Sequence, residues 1–143
     1  MKIRPATTAD FETITGWLAA ARLPVADLSI DDMRDFLLAE SGGVPVGTVG
    51  LEPFDDIGLL RSLVVVPHSQ GGGAGRRLVA ALEREAAARG MSELWLLTTD
   101  ADAYFMKLGY DAMPRESAPE RIQRTTEFSK LCPSDAILMR RRL

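Results

Sequence analysis

Residues 64–79, VVVPHSQGGGAGRRLV, place a β-branched run, a proline and five consecutive glycine or alanine residues directly before an amphipathic stretch. No other segment constrains the fold as tightly. β-Branched residues favour a strand, while Leu78, Val79, Leu82 and Ala86 recur at helical spacing. The chain must therefore pass from strand to helix through a loop almost free of side chains. Such a junction turns several backbone N–H groups toward one point, where glycine admits close approach and the helix dipole favours an anion. It predicts a pyrophosphate cradle, with a plain surface turn of small residues as the structural alternative.

Around this junction the punctuation is short and alternating. Residues 2–4 read as a strand, and Thr7 or Thr8 caps a helix to about Ala21, with Asp10 in its first turn. Pro24 breaks the chain. Ser29 and Asp32 then form a capping box for a short helix through Leu37, whose far end is also compatible with strand. Gly42, Gly43 and Pro45 turn the chain into two strands, residues 46–51 and 57–66. The helix that opens at the glycines ends at Gly90, and the nearly all-apolar residues 94–98 suit a central buried strand. Thr99 with Asp102 predicts a capped helix ending at Gly109. Ser117 with Glu120 predicts another running to Leu131, and residues 136–141 a last strand. The expectation is an α/β fold: a mixed, twisted sheet of about six or seven strands with helices on both faces, in a single domain over residues 1–143.

Charge and cysteine content narrow the partners. With 17 Lys and Arg against 20 Asp and Glu, the net charge of −3 gives no general attraction for a polyanion. Nucleic acid and membrane are not expected. No stretch reaches the roughly 18 apolar residues of a membrane span, and residues 1–12 show no apolar leader. Cys132 is the only cysteine, which excludes an intrachain disulfide and suits a reducing cytoplasm.

Three kinds of phosphate loop can be compared with the junction. A Walker loop needs Lys then Ser or Thr at the helix start, and Gly75 is followed by Arg76 and Arg77. A dinucleotide fingerprint lacks its third glycine in either register and is displaced from the strand by PHSQ. The third fits. Leu63-x-Val65-x-Pro67-x-x-Gln70-x-x-Gly73-x-Gly75 resembles the acyl-CoA signature of the Gcn5-related N-acetyltransferase (GNAT) superfamily, and residues 104–110, YFMKLGY, resemble its helix ending in L-G-F/Y. The resemblance implies a GNAT fold with a splayed acyl-CoA cleft and acetyl-CoA as co-substrate, with no metal. By position it assigns the CoA site to Leu63, Val64, Val65, Gln70, Gly71, Gly72, Gly73, Ala74, Gly75 and Arg76. Leu63 to Val65 would pair with pantetheine like an added strand, and the glycines would meet the pyrophosphate. Gly72 departs from the many relatives with a basic side chain there. Arg76 and Arg77 offer compensation, although Arg77 also reads as a solvated helix face.

A nearer resemblance is to the N-acetyltransferases associated with arsenic resistance, carried by residues 50–65, 96–110 and 127–139. It implies a small amine as acceptor: an amino acid, or an amino-acid-like arsenical or phosphinic compound. A homodimer is open. Many GNAT relatives protonate the CoA sulfur with a helix tyrosine, and that position here is Phe105, with Tyr104 one residue away. A non-catalytic acyl-CoA sensor is thus the rival of a transferase. Glu52 is the candidate base, its alternative a solvated carboxylate beside Pro53. Arg61 and Ser62 interrupt an apolar strand and are the candidate substrate-binding residues. Arg61 either forks a substrate carboxylate or pairs internally with Glu52 or Asp55. His68 reads as a surface residue, Cys132 as a structural or substrate-lining thiol, Trp17 and Trp95 as core or pocket walls, and residues 140–142 as a solvated basic end.

Overall fold

The computed structural model describes residues 1–131 and 135–143. Seven strands form one sheet in the order β1-β2-β3-β4-β5-β7-β6. They are β1 (Lys2–Pro5), β2 (Phe36–Ser41), β3 (Val44–Phe54), β4 (Ile57–Val65), β5 (Glu93–Thr98), β6 (Asp111–Met113) and β7 (Ile137–Arg142). Only β4 and β5 run parallel; the other neighbours are antiparallel. The helices are α1 (Phe11–Ala20), α2 (Ala74–Ala88), α3 (Asp102–Lys107) and α4 (Glu120–Gln123). None of these is long and apolar enough to cross a membrane.

The period of two along each strand sends neighbouring side chains to opposite faces. On one face Leu60, Leu94 and Leu96 join Leu78, Val79, Leu82 and Ala86 of α2 and Phe105 of α3. On the other, Leu59, Trp95 and Leu138 meet Ile122 of α4, and Phe36 and Leu38 meet Ile14 and Leu18 of α1. Both faces are covered, so the central strands carry apolar residues in succession. The α2 stripe is fully buried, and each of its large side chains contributes about 1.5–3 kcal/mol by leaving water.

Several local expectations are corrected. Both N-terminal capping boxes, Thr7 with Asp10 and Ser29 with Asp32, are present. The turn after Ser29 stops at Asp35, however, because Phe36 to Ser41 are claimed by pairing with β1 and β3. The Thr99 box does not form; the Thr98 hydroxyl accepts from the Ala101 N–H at 2.9 Å instead. The helix expected to reach Leu131 breaks after α4. There Thr125 donates its hydroxyl to Ile122 and accepts from the Phe128 N–H, and a π turn follows at Glu127–Leu131. Residues 140 and 141 are not simply solvated: Arg140 pairs with Glu93 and Arg141 with Glu83. Glu83 also accepts from the buried Tyr110 hydroxyl at 2.9 Å. Burial, reinforced by the Glu83 charge, pushes that phenol well above its usual range.

Candidate active site

The parallel pairing of β4 and β5 lasts three residues, Ile57 to Leu59 against Glu93 to Trp95. Beyond it the strands part. On the β3 side, Thr48 pairs with Val64 and Gly50 with Arg61, so Val49 faces both Ser62 and Leu63. This is a β-bulge, with Ser62 in the left-handed region at φ 61. It bends β4 away from β5 and opens a cleft of about 650 Å³, walled by Leu60 to Leu63 on one side and Leu96 to Ala101 on the other.

The glycine loop lies beyond the end of β4. Gly71 and Gly73 have φ of 88 and 83, a conformation that costs an L side chain roughly 1–2 kcal/mol. Gly73 is the N-cap of α2, whose first N–H groups have no partner within the helix. Gly71 and Gly72 are exposed and Ala74 is buried. The Gln70 side chain donates to the Val65 carbonyl at 2.9 Å, tying the loop to the strand end. Leu63 lines the cleft, whereas Val64 and Val65 send side chains into the cores on opposite faces. Their contribution to a ligand is limited to the backbone. Arg76 is exposed, and Arg77 is turned to the Met1 carbonyl, away from the loop. His68 is exposed in the turn before the loop. Cys132 lies outside the described residues.

Phe105 is buried in the α2 core, so the usual acid position carries no proton donor. Tyr104 instead faces the cleft. A Cβ at Gly75 would come within 2.7 Å of the Tyr104 hydroxyl oxygen, so the second motif glycine is also crowded by the end of a side chain of α3. Burial pushes the Tyr104 hydroxyl above its usual pKa, with the Arg76 charge pulling the other way.

At the far side of the cleft Arg61 is almost wholly buried, at 3% exposure. Its Nη1 donates to Asp27 and to Glu52 Oε1 (2.8 Å), and its Nη2 to Asp27 Oδ1 (2.9 Å) and the Pro24 carbonyl (3.2 Å). Its Nε faces Ser62 Oγ at 3.0 Å and Glu127 Oε2 at 3.2 Å. All five N–H donors are engaged. Burial disfavours the cation, but the bond to Asp27 and the charges of Glu127 and Asp27 outweigh it and hold Arg61 more firmly protonated than usual. The internal pairing is therefore realised, with Glu52 but not with Asp55, and no donor is left for a substrate fork in this arrangement. Glu52 lines a smaller pocket of about 170 Å³ together with Asp27 and Asp32. The carboxylates on the main cleft are Asp100 and Glu127.

Asp27, Glu127 and Arg22 were not legible as site residues. Arg22 follows α1 with φ 59, in a closing turn where the Leu23 N–H bonds Leu18 and its own N–H bonds Ala19. Glycine is the cheap residue there. The usable signal was Pro24, which marks the loop after α1 and whose carbonyl accepts from Arg61 of β4.

Residues 4–110 match the Acetyltransferase (GNAT) family. An amino-acid acetyltransferase of Ralstonia nicotianae is 33% identical over 91 residues, which are 62% of this chain and 20% of that protein. The chain thus spans about a fifth of that relative. An uncharacterized N-acetyltransferase of Chlorobaculum tepidum is 30% identical over 77% of this chain and 72% of that one. Among solved structures, N-acetylglutamate synthase from Neisseria gonorrhoeae, complexed with coenzyme A and N-acetyl-glutamate, superposes with a TM-score of 0.86 at 25% identity. That likeness covers 99% of this chain and 35% of the synthase. A Mycobacterium tuberculosis protein in complex with CoA shares the fold over 99% of its own length, with a TM-score of 0.84 and 20% identity. With a splayed β4/β5 pair, a glycine loop capping α2 and a family match over most of its length, the chain belongs to the GNAT acetyltransferase family.

Proposed function

We propose that the protein moves the acetyl group of acetyl-CoA to the primary amine of a small amino acid in the cytoplasm. One observation carries the reading: where β4 parts from β5, a cleft opens that is walled by Leu63, near the strand end that leads into the glycine loop, and by Arg61 and Glu127 of an engaged cluster of charged side chains. Acetyl-CoA supplies the thioester. The unpaired edge of β4 from Leu60 to Val65 offers N–H and C=O groups to the amides of pantetheine, and the residues from Gln70 to Arg76 take the pyrophosphate. Held beside the thioester, the neutral amine adds to the carbonyl carbon as the C–S bond breaks. Proximity supplies most of the acceleration. The amine loses a proton and the departing thiolate gains one. Glu127 lines the cleft, so we assign proton acceptance to it and a positioning role, through Arg61, to Glu52. Tyr104 is the phenol on the cleft, and its raised pKa keeps it protonated for donation to the sulfur.

The amino-acid acetyltransferases among the relatives support the acceptor class. An amino-acid-like arsenical or phosphinic compound offers the same amine and belongs in the same trial. Release of CoA thiol above the hydrolysis rate, measured over a panel of both kinds, tests the reading. A thermal shift with CoA but no thiol release with any amine would make the protein a sensor. Glu127→Gln should lower turnover most at low pH, where the amine is hardest to deprotonate; Glu52→Gln should instead reduce thermal stability.

A further inference from the structure

Two arginines line the cleft, Arg22 and Arg61, and they stand in opposite conditions. Arg61 has spent all five donors on Asp27, Glu52, Glu127, Ser62 and Pro24. Arg22 is exposed, and among the described residues its side chain makes no hydrogen bond or ion pair. It occupies a left-handed position at the end of α1 that a glycine would fill without strain. The segment just after it is not loose, because Arg61 grips the Pro24 carbonyl and both carboxylate oxygens of Asp27. An unpaired guanidinium is thus carried at the cleft wall on a segment clamped to β4.

We propose that Arg22 reads the carboxylate of the acceptor amino acid, and that Arg61 serves it only as the clamp that fixes its segment. The inference rests on the acetyltransferase reading and deepens it by naming the anion reader. A planar guanidinium with free donors matches a carboxylate in a two-bond fork. The acceptor's ammonium then points inward to Glu127, which lines the same cleft. One small zwitterion is held at both ends, with its nitrogen toward the thioester.

The test uses Arg22→Gly, which suits the backbone conformation while deleting the charge. L-Glutamate is the probe, because the Neisseria relative is complexed with N-acetyl-glutamate. Its dimethyl ester keeps the amine and masks both carboxylates. Calorimetric titration of each into the CoA-saturated protein should show at least a tenfold weaker Kd for L-glutamate in Arg22→Gly and no change for the ester. The melting temperature should be equal or higher, and the CoA affinity unchanged. Arg22→Lys should recover part of the loss. Equal glutamate binding by the variant and the unaltered protein, or equal losses for glutamate and ester, would overturn the assignment. The acetyltransferase reading fails separately: glutamate binding that depends on Arg22, without thiol release from any amine, leaves Arg22 as the reader in a protein that does not transfer.

Discussion

The two regions to which the proposed reading assigns CoA and acceptor are built by opposite means. The region proposed for CoA is a run of residues, Gln70 to Arg76, in which glycines leave the backbone largely bare of side chains. The region proposed for the acceptor is a knot of side chains around Arg61, whose partners on β3 and in the loop after α1 lie 9 to 37 residues away in the chain. A backbone cradle is completed by local conformation alone. A side-chain knot exists only once the sheet has assembled, and each member depends on the others being charged and in place. The first should tolerate distant substitutions and fail at a glycine; the second should fail as a unit.

The sharpest break is therefore at Arg61. Arg61→Met leaves Asp27, Glu52 and Glu127 without their shared cation, and removing one partner from a buried ionic group costs about 3–5 kcal/mol. Urea unfolding at pH 7 measures it, and a loss below about 1 kcal/mol would show that the knot contributes little. Arg61→Lys keeps the charge but has three donors for the contacts of five, so it should fall in between.

At the other end the effects should appear in CoA binding. Gly73→Asp places an L residue at φ 83 and a negative charge at the helix start, and should abolish the thermal shift produced by CoA. Gly75→Ala is gentler, since its methyl group comes too close only to the Tyr104 hydroxyl, its next neighbours being Tyr104 Cζ at 3.7 Å and a Val65 methyl at 3.8 Å. It should weaken CoA binding several-fold, and Tyr104→Phe in the same chain should restore most of it, because the ring carbon lies 3.7 Å away. A double variant no better than Gly75→Ala would mean that the ligand, not α3, demands the glycine.

The smallest effect tests an ion pair outside both ends. Asp10 closes the capping box before α1 and accepts two bonds from Arg4, at 2.9 and 3.1 Å. The Arg4 bonds hold its carboxyl below the ordinary value of 3.8 despite partial burial. A carboxyl depressed in the folded state contributes fully above its unfolded pKa and loses that contribution as the pH falls through the folded one. Asp10→Asn should cost about 1 kcal/mol at pH 6. The gap from the unaltered protein should close as the pH is lowered below about 4. A gap that persists at pH 2 would place the contribution in packing.

The same contrast explains what could be read from the chain. The strand–loop–helix junction, α2 and both N-terminal capping boxes are encoded within windows of a few residues, so periodicity and capping chemistry found them. Strand β6 is three residues with no β-branched side chain; it exists because β7 supplies its partner. Asp27 and Glu127 carry no local mark at all. Arg61 announced itself as a charge in an apolar strand, and of the partners offered for it nearby in the chain Glu52 is realised and Asp55 is not, while Asp27 and Glu127 lie too far along the chain to be named. The Thr125 hydroxyl bonds that break the last helix compete with helix continuation on terms that a capping pattern at Ser117 does not reveal.

The strand order has a consequence for synthesis. Strand β7 lies between β5 and β6, and β6 has no other neighbour in the sheet. As the chain leaves the ribosome, β1 to β4 can pair in succession, each with the strand just made. Strand β5 then docks beside β4 by three residue pairs while its opposite edge stays bare. That edge is a row of unmet N–H and C=O groups. It stays so until residues 137–142 emerge and pair with β5 and β6 together. The nascent chain therefore carries a sticky half-sheet until β7 is made, and the rate at which the codons between β5 and β7 are read sets how long that edge is open to a wrong partner.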